Sequence, residues 1–212
     1  MITLYAITDH PTPPVPRLGE MRVVPSGDLA AVCGPVIKGE VTAEALWQHE
    51  QLVEALMQDR DVLPVRYGTC LPDDAAAART LQDNHAEFAA SLDTVRGAVE
   101  LAVRVFAALD RAHVPTPAAA PMTGAEYLRA RARSAAEESD ATVIVHSPLA
   151  RAARACTVAR VNRPGELLRA AYLVDRDQTA PFAAHVKEIQ EGNPQLRITC
   201  TGPWPPYSFA GS

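Results

Sequence analysis

This sequence is poor in several things at once. Of its 20 basic residues only Lys38 and Lys187 are lysines, and aromatics make up 5% of the chain. No apolar run approaches the roughly 20 residues that a membrane-spanning helix needs. The formal charge of −5 leaves no surplus of cations. That argues against a protein built mainly to neutralise phosphate, and no basic stripe is present for an acidic membrane surface. The four cysteines, Cys33, Cys70, Cys156 and Cys200, stand far apart with no CxxC pair. This excludes a zinc knuckle and a thioredoxin-type motif, and the expectation is four free thiols, mostly buried as small hydrophobes.

Catalytic and cofactor signatures are missing too. The six histidines, at 10, 49, 85, 113, 146 and 185, fall one to a segment and none sits in HExxH. They are expected to be solvent-facing or singly bonded, with no metal bound. Neither GxxxxGK[ST] nor GxGxxG occurs, so no phosphate cradle is visible. Ser26-Gly27-Asp28 lacks the flanking residues of a GxSxG elbow and reads as a turn. The expectation is a protein with no catalytic residues, no metal and no cofactor. MITLYAITDH carries no positive charge ahead of its apolar stretch, so it reads as a first strand rather than a secretory signal. The expected compartment is the cytoplasm.

What is present is an ordinary globular composition, 48% hydrophobic and 21% charged over 212 residues. This is enough for one large domain or two small ones. Strands are expected at 2–7, 21–25 and 29–33, with prolines at 11, 13, 14 and 16 forcing a loop after the first. Thr42 is a candidate N-cap for a helix over 43–59, whose Leu46, Val53, Leu56 and Met57, flanked by Trp47 and Leu52, keep a helical period. VLPVRYGT (62–69) reads as a strand ending in a glycine turn, and a second helix follows at 73–91. Asp73 and Asp74 suit its positive N-terminal dipole.

The second half opens on VRGAVELAVRVF. Val99, Leu101, Val103 and Val105 alternate with Glu100, Ala102, Arg104 and Phe106, which is the pattern of a strand with one buried face. A proline- and alanine-rich linker (114–121) and an Arg/Glu helix (124–138) follow. The helix bears YLRARAR (127–133), but neighbouring Glu126, Glu137, Glu138 and Asp140 offset it and no aromatic ladder accompanies it. It reads as a solvated face rather than an RNA site. Residues 141–156 are read as a helix interrupted near Ser147-Pro148. LLRAAYLVD (167–175) reads as a strand after an Asn162-Pro164-Gly165 turn, and if CTVARV (156–161) pairs with it the two make a hairpin. A helix at 181–190 and a strand at 196–201 complete the chain.

This order predicts an α+β protein of two small domains. The second, 93–212, is ferredoxin-like (βαββαβ) with an aromatic and proline-rich tail; the first, 1–92, is a modified ferredoxin-like layer. The tail is GPWPPYSF (202–209). Its prolines at 203, 205 and 206 remove three backbone donors, so it is expected to run extended. Trp204, Pro205, Pro206, Tyr207 and Phe209 then form either a strap on the chain's own domains or a docking peptide for a partner. The area that aromatics bury favours the strap, which could reach back to the first domain. Arg66 and Tyr67, at the end of the 62–69 strand, are either domain-interface residues or part of a contact surface, with the interface favoured.

Four segments carry a resemblance. VLPVRYGT (62–69), GAEYLRAR (124–131), AAYLVDR (170–176) and the terminal GPWPPYSF (202–209) together resemble the gas vesicle accessory protein family GvpL/GvpF, in that family's order and across most of the chain. The terminal segment is the most specific. Tyr67 stands where the family often has Phe, and the 11–18 loop is unusually rich in proline. The resemblance implies two α+β domains of ferredoxin-like character and a non-catalytic role in gas vesicle formation. It implies binding to the hydrophobic shell protein and to other accessory proteins, and location at the gas vesicle. The alternative is a small-molecule-sensing regulatory protein with ferredoxin-like domains, since fold alone does not decide function; an enzyme ranks third. No nucleic acid or membrane is expected as partner.

Overall fold

Two sheets organise the computed structural model, which describes residues 1–10, 21–36, 42–108, 123, 136–161, 163 and 165–211. The expected 11–18 loop, 114–121 linker and the segments 124–131 and 127–133 lie outside the described residues, as do 162 and 164 of the expected turn. The chain divides into two compact units, Met1–Glu100 with Pro203–Ser212 and Leu101–Gly202. The division falls inside a strand rather than at 92/93, and the last ten residues belong with the first unit rather than the second.

In the first unit, β1 (Ile2–Asp9) lies at the centre, with β3 (Leu29–Pro35) and then β2 (Arg22–Ser26) on one side. The short strands β4 (Leu63–Pro64) and β5 (Cys70–Leu71) both pair with β1. Both β1 and β3 are buried along nearly their whole length, which is why they read as continuous apolar runs. β2 and β3 meet across Gly27-Asp28, with Gly27 at φ 65° supplying the turn that the sequence anticipates. Helix α1 (Ala43–Met57) is capped by Thr42, whose hydroxyl accepts from the Ala45 amide at 3.1 Å. Its inner face packs Leu52, Val53, Leu56 and Met57 against Tyr5, Val32 and Val62.

The single helix expected at 73–91 is two helices, α2 (Asp74–Asp83) and α3 (His85–Val95). Asn84 breaks them: its side-chain amide donates back to the Thr80 carbonyl at 2.9 Å and its backbone leaves the helical region. Asp73 caps α2 through the Ala76 amide at 2.8 Å, and Asp74 takes a forked bond from Arg22 on β2.

In the second unit, β6 (Ala98–Ala107), β7 (Ala155–Val158), β8 (Glu166–Asp175) and β9 (Leu196–Trp204) form a sheet in the order β7-β8-β6-β9. β7 and β8 are the expected hairpin, antiparallel from Ala155 opposite Leu173 to Val158 opposite Ala170. The expected interrupted helix is continuous. Helical residues 136–141 run through a π turn, Thr142–His146, into α4 (Ser147–Arg151). Pro148 sits in the first turn of α4, and the Ser147 hydroxyl donates to Thr142 O at 3.1 Å, so the irregularity is absorbed by widening one turn. Helix α5 (Thr179–Gly192) lays Phe182 against Tyr172 at 5.3 Å between ring centroids, in a core with Val103, Val145 and Leu149.

Two further expectations are corrected. The cysteines are not mostly buried: Cys33 is, Cys200 is half-buried, and Cys70 and Cys156 are exposed; all four are free. Leu46 and Trp47 do not belong to the inner stripe of α1 but stand 41% and 59% exposed.

Candidate functional site

The expected site residues gather in the first unit around an interrupted edge strand. β3 occupies one side of β1, so β4 and β5 share the other side. The strand read over 62–69 therefore holds only at Leu63–Pro64, arches away through Arg66-Tyr67-Gly68, and resumes at Cys70. Val65 N still reaches Tyr5 O, and Leu4 N reaches Thr69 O, both at 2.9 Å. Within the arch, Gly68 takes φ 85°, and the Thr69 hydroxyl and amide both bond Arg66 O, at 2.9 and 3.2 Å. Opposite it, the β1–β3 register slips between Leu4 and Ala6, making Tyr5 the extra residue of a bulge.

That geometry surrounds His49 of α1, which is 1% exposed. Its ring stacks on Tyr5 at 5.0 Å and meets the edge of Tyr67 at 5.6 Å. Nε2 lies 2.9 Å from Val65 O, so it carries the proton and donates to the arch. Nδ1 is buried without a hydrogen-bond partner. Burial holds the imidazole below its ordinary pKa, against the weaker upward pull of the Val65 carbonyl and Glu50. His49 is therefore a neutral ring that ties α1 to the arch.

The tail closes on the same unit. It is extended as far as Trp204, the end of edge strand β9, where proline is tolerated. Pro205 and Pro206 are buried, and a single 3₁₀ turn, Tyr207–Phe209, follows. Trp204 itself stays 39% exposed. The turn meets Glu100 of β6. Ser208 N donates to Oε2 at 2.8 Å and Ser208 Oγ to Oε1 at 2.9 Å. Glu100 is only 8% exposed, although alternation along the strand put it on the outer face. Burial pushes its carboxyl above the usual range, opposed by the two Ser208 bonds. The Tyr207 hydroxyl is buried with no hydrogen bond at bonding geometry. Burial, with the Glu50 and Glu54 carboxylates adding, raises its pKa well above that of an ordinary phenol.

A cleft of about 250 Å³ lies between these parts, with Pro64, Arg66 and Thr69 on one wall, Glu87 and Phe88 of α3 on another, and Tyr207 with Gly211 on the third. Other clefts measure about 370 Å³, beside the Arg22–Asp74 pair, and about 280 Å³, at residues 137–144 of the second unit. Small-molecule sites run from roughly 300 to 1,000 Å³ and are largely enclosed and apolar. The cleft of about 370 Å³ is lined mainly by a satisfied ion pair and the Asp73 cap. Among the described residues, no three His, Cys, Asp or Glu side chains converge on a metal-sized site, and no helix is long and apolar enough to cross a membrane.

Against known proteins, the chain matches the family described as Gas vesicle synthesis protein GvpL/GvpF over residues 2–211. It belongs to that family. It is 34% identical to Gas vesicle protein L of Streptomyces sp. (strain CB03234), over 90% of this chain and 83% of that protein. It is 27% identical to Gas vesicle protein F of the same strain, over 93% of this chain and 89% of that protein. Among solved structures, GvpF from Anabaena sp. PCC7120 superposes with a TM-score of 0.81 at 17% identity, covering 100% of this chain and 96% of the other. GvpF from Microcystis aeruginosa gives 0.80 at 17% identity, covering 100% and 99%. These two establish a shared mixed α/β fold.

Arg66, Tyr67 and Tyr207 thus come to one region of this GvpL/GvpF chain, with Arg66 and Tyr207 lining one cleft and Tyr67 beneath it on His49. Pro205 and Pro206 are buried, Phe209 is half-buried, and Trp204 points away from full burial. Three participants had gone unnoticed as site residues. His49 shares the buried stripe of Ala45, Leu52, Val53 and Leu56, and that spacing is its signal. Glu100 and Ser208 are partners 108 positions apart, a pairing no local pattern carries.

Proposed function

We propose that this chain is a non-catalytic accessory protein that binds the hydrophobic shell protein, other accessory proteins, or both, during gas vesicle assembly in the cytoplasm. The observation that carries the reading is the family match from residue 2 to 211, which leaves little of the chain outside it. Physical logic supports it. A very apolar shell subunit aggregates through exposed strand or helix surface before assembly, and an accessory protein can cover that surface. The short edge strand β7 suits such work: Thr157 and Val158 are exposed, Val158 at 53%.

We further read the second unit as ferredoxin-like, because a chain running β6, helix, β7, β8, α5, β9 with sheet order β7-β8-β6-β9 fits the split βαβ arrangement. Within the proposal, the tail is a strap: its prolines and the Ser208–Glu100 bonds belong to the first unit's own packing.

The test is co-purification of the shell protein and the other accessory proteins with the full chain, read together with the fraction of shell protein that stays soluble. Capture with reduced aggregation is the expected result. Failure to capture any of them, at expression levels where each is present, overturns the reading.

A further inference from the structure

Helix α1 turns an unusual face outward. Its inner stripe of Ala45, His49, Leu52, Val53, Leu56 and Met57 is buried, as an amphipathic helix requires. Its outer face is not simply polar. Trp47 stands there 59% exposed, with Leu46 beside it at 41%. Gln51 and Glu54 follow Trp47 at the next two turns of the same face, and Glu44 and Glu50 flank it three positions either side. Every charged side chain of α1 is a carboxylate; the sequence AEALWQHEQLVEALM has no Lys or Arg.

An exposed Trp rimmed by polar groups is the anatomy of an interface anchor. The single sign of the rim says what kind of partner fits. We infer that the outer face of α1 docks an amphipathic helix carrying Lys or Arg beside an apolar ridge, on one of the proteins this chain binds in assembly. This rests on the assembly reading above. The ridge packs on Trp47 and Leu46 as helices pack face to face. The cations meet exposed Glu44 first, with half-buried Glu50 and Glu54, which also act on the Tyr207 phenol, adding from the edge of the face, and one cation gains further attraction over the Trp47 ring. An acidic helix or a nucleic acid meets three carboxylates of its own sign and is refused.

The experiment uses the full chain carrying Trp204→Phe, so that Trp47 is its one tryptophan. The probe is a synthetic amphipathic helix of leucine and lysine about five turns long, with a leucine/glutamate helix of equal length as counterpart. The expected result is a saturable blue shift of Trp47 emission with the lysine helix, and binding at least about tenfold weaker with the glutamate helix. Glu44→Lys with Gln51→Lys, both on the solvent side of α1, should weaken the lysine helix by about tenfold or more with circular dichroism unchanged. Equal binding of both helices, or indifference to the charge reversal, overturns the inference. So does concentration-dependent self-association of the chain alone that the same reversal abolishes, because the face then belongs to a second copy. Co-purification separates this result from the functional reading. If the lysine helix binds as expected but no vesicle protein is captured, the assembly reading falls and the docking face stands. If vesicle proteins are captured equally by the chain and by the charge-reversed variant, the assembly reading stands and the face assignment falls.

Discussion

Each unit sets a histidine against a tyrosine, and the two pairs are handled differently. In the second unit, half-buried His146 meets fully buried Tyr172 through Nδ1 and the phenol oxygen at 2.9 Å, so both polar groups are satisfied. In the first, His49 is fully buried, stacks on Tyr5, spends one nitrogen on the Val65 carbonyl, and leaves Nδ1 with nothing. Tyr207 leaves its hydroxyl unbonded in the same unit, and Glu100 is buried there under the tail. A polar group buried without a partner costs roughly 1–3 kcal/mol, and more when charged. The second unit adds paired charges to its apolar core, with buried Glu166 held by Arg169 at 2.7 Å and Asp175 paired with Arg154. The first leaves His49 Nδ1 and the Tyr207 hydroxyl without a hydrogen bond where the arch and the tail close over it, which makes it the unit sensitive to the tail and to the protonation of His49.

The largest effect tests the second unit's side of that contrast. Phe182→Ala removes a ring that is 2% exposed and packed on Tyr172. Large-to-small changes of this kind cost about 3–5 kcal/mol. Amide exchange should lose protection in β8 and α5, while the β1–β3 ladder keeps its own. Equal loss in both would show that the units unfold as one and would break the contrast.

These differences bear on what could be read in advance. Strand β6, the Thr42 cap, the Gly27 hairpin and the β7–β8 pairing were legible because each rests on local chemistry: alternation, a hydroxyl before a helix, a residue free to take positive φ. The arch at 66–69 was not, because VLPVRYGT is apolar and β-branched enough for a strand. What interrupts it is the pairing of both its ends to one side of β1. The break at Asn84 falls in Asp83-Asn84-His85, three weak helix formers between two runs of good ones, too short a signal to separate one helix from two. For the site, the composition of GPWPPYSF marks a stiff aromatic segment, yet Glu100, which Ser208 of that segment bonds, is far away in sequence. Glu100 looks like an outward residue of an alternating strand until the tail covers it. Leu46 keeps helical period with Val53 and still stands 41% exposed, since periodicity fixes a stripe and not its neighbours.

Ser208→Ala is the next test, aimed at the tail. It removes one of the two bonds that Glu100 accepts and leaves the other, from the backbone. Hydrogen bonds to charged groups contribute about 1.5–3 kcal/mol, and the loss should appear in urea melts followed through the first unit. Glu100→Gln in the same background should recover part of it, because the amide no longer buries a charge. A Ser208→Ala chain that melts like the parent would mean that the hydroxyl bond adds nothing and the tail is held by its prolines and the residue 208 amide.

Acidification offers a smaller and more selective probe. Burial lowers the His49 pKa, so the folded state prefers the neutral ring more than the unfolded chain does. The resulting stability is fully present above the unfolded value of about 6.5 and is lost as pH falls from there through the folded value. Glu100 works the other way. Its raised pKa contributes stability below the ordinary carboxylate range that disappears as pH rises through the folded value. Between about pH 6.5 and the carboxylate range, the first unit should therefore weaken on acidification through His49. His49→Phe should flatten that slope, even though the ring loses its bond to Val65. An unchanged slope in the variant would assign the sensitivity elsewhere.

The smallest effect is also the most discriminating. Tyr207→Phe removes a buried hydroxyl that makes no bond at bonding geometry, though Glu50 and Glu54 lie within its electrostatic reach. Deleting an unsatisfied polar atom while keeping the ring is close to neutral or stabilising, within about 1 kcal/mol. It should also remove an alkaline transition, since the raised phenol pKa contributes stability below about 10 that is lost once pH climbs through the folded value. Destabilisation well beyond 1 kcal/mol would mean that the hydroxyl donates to Glu50 in solution. The tail would then be tied to α1 by a charged bond as well as to β6, and the unpaired groups that set the first unit apart would reduce to His49 Nδ1 on this face of the molecule.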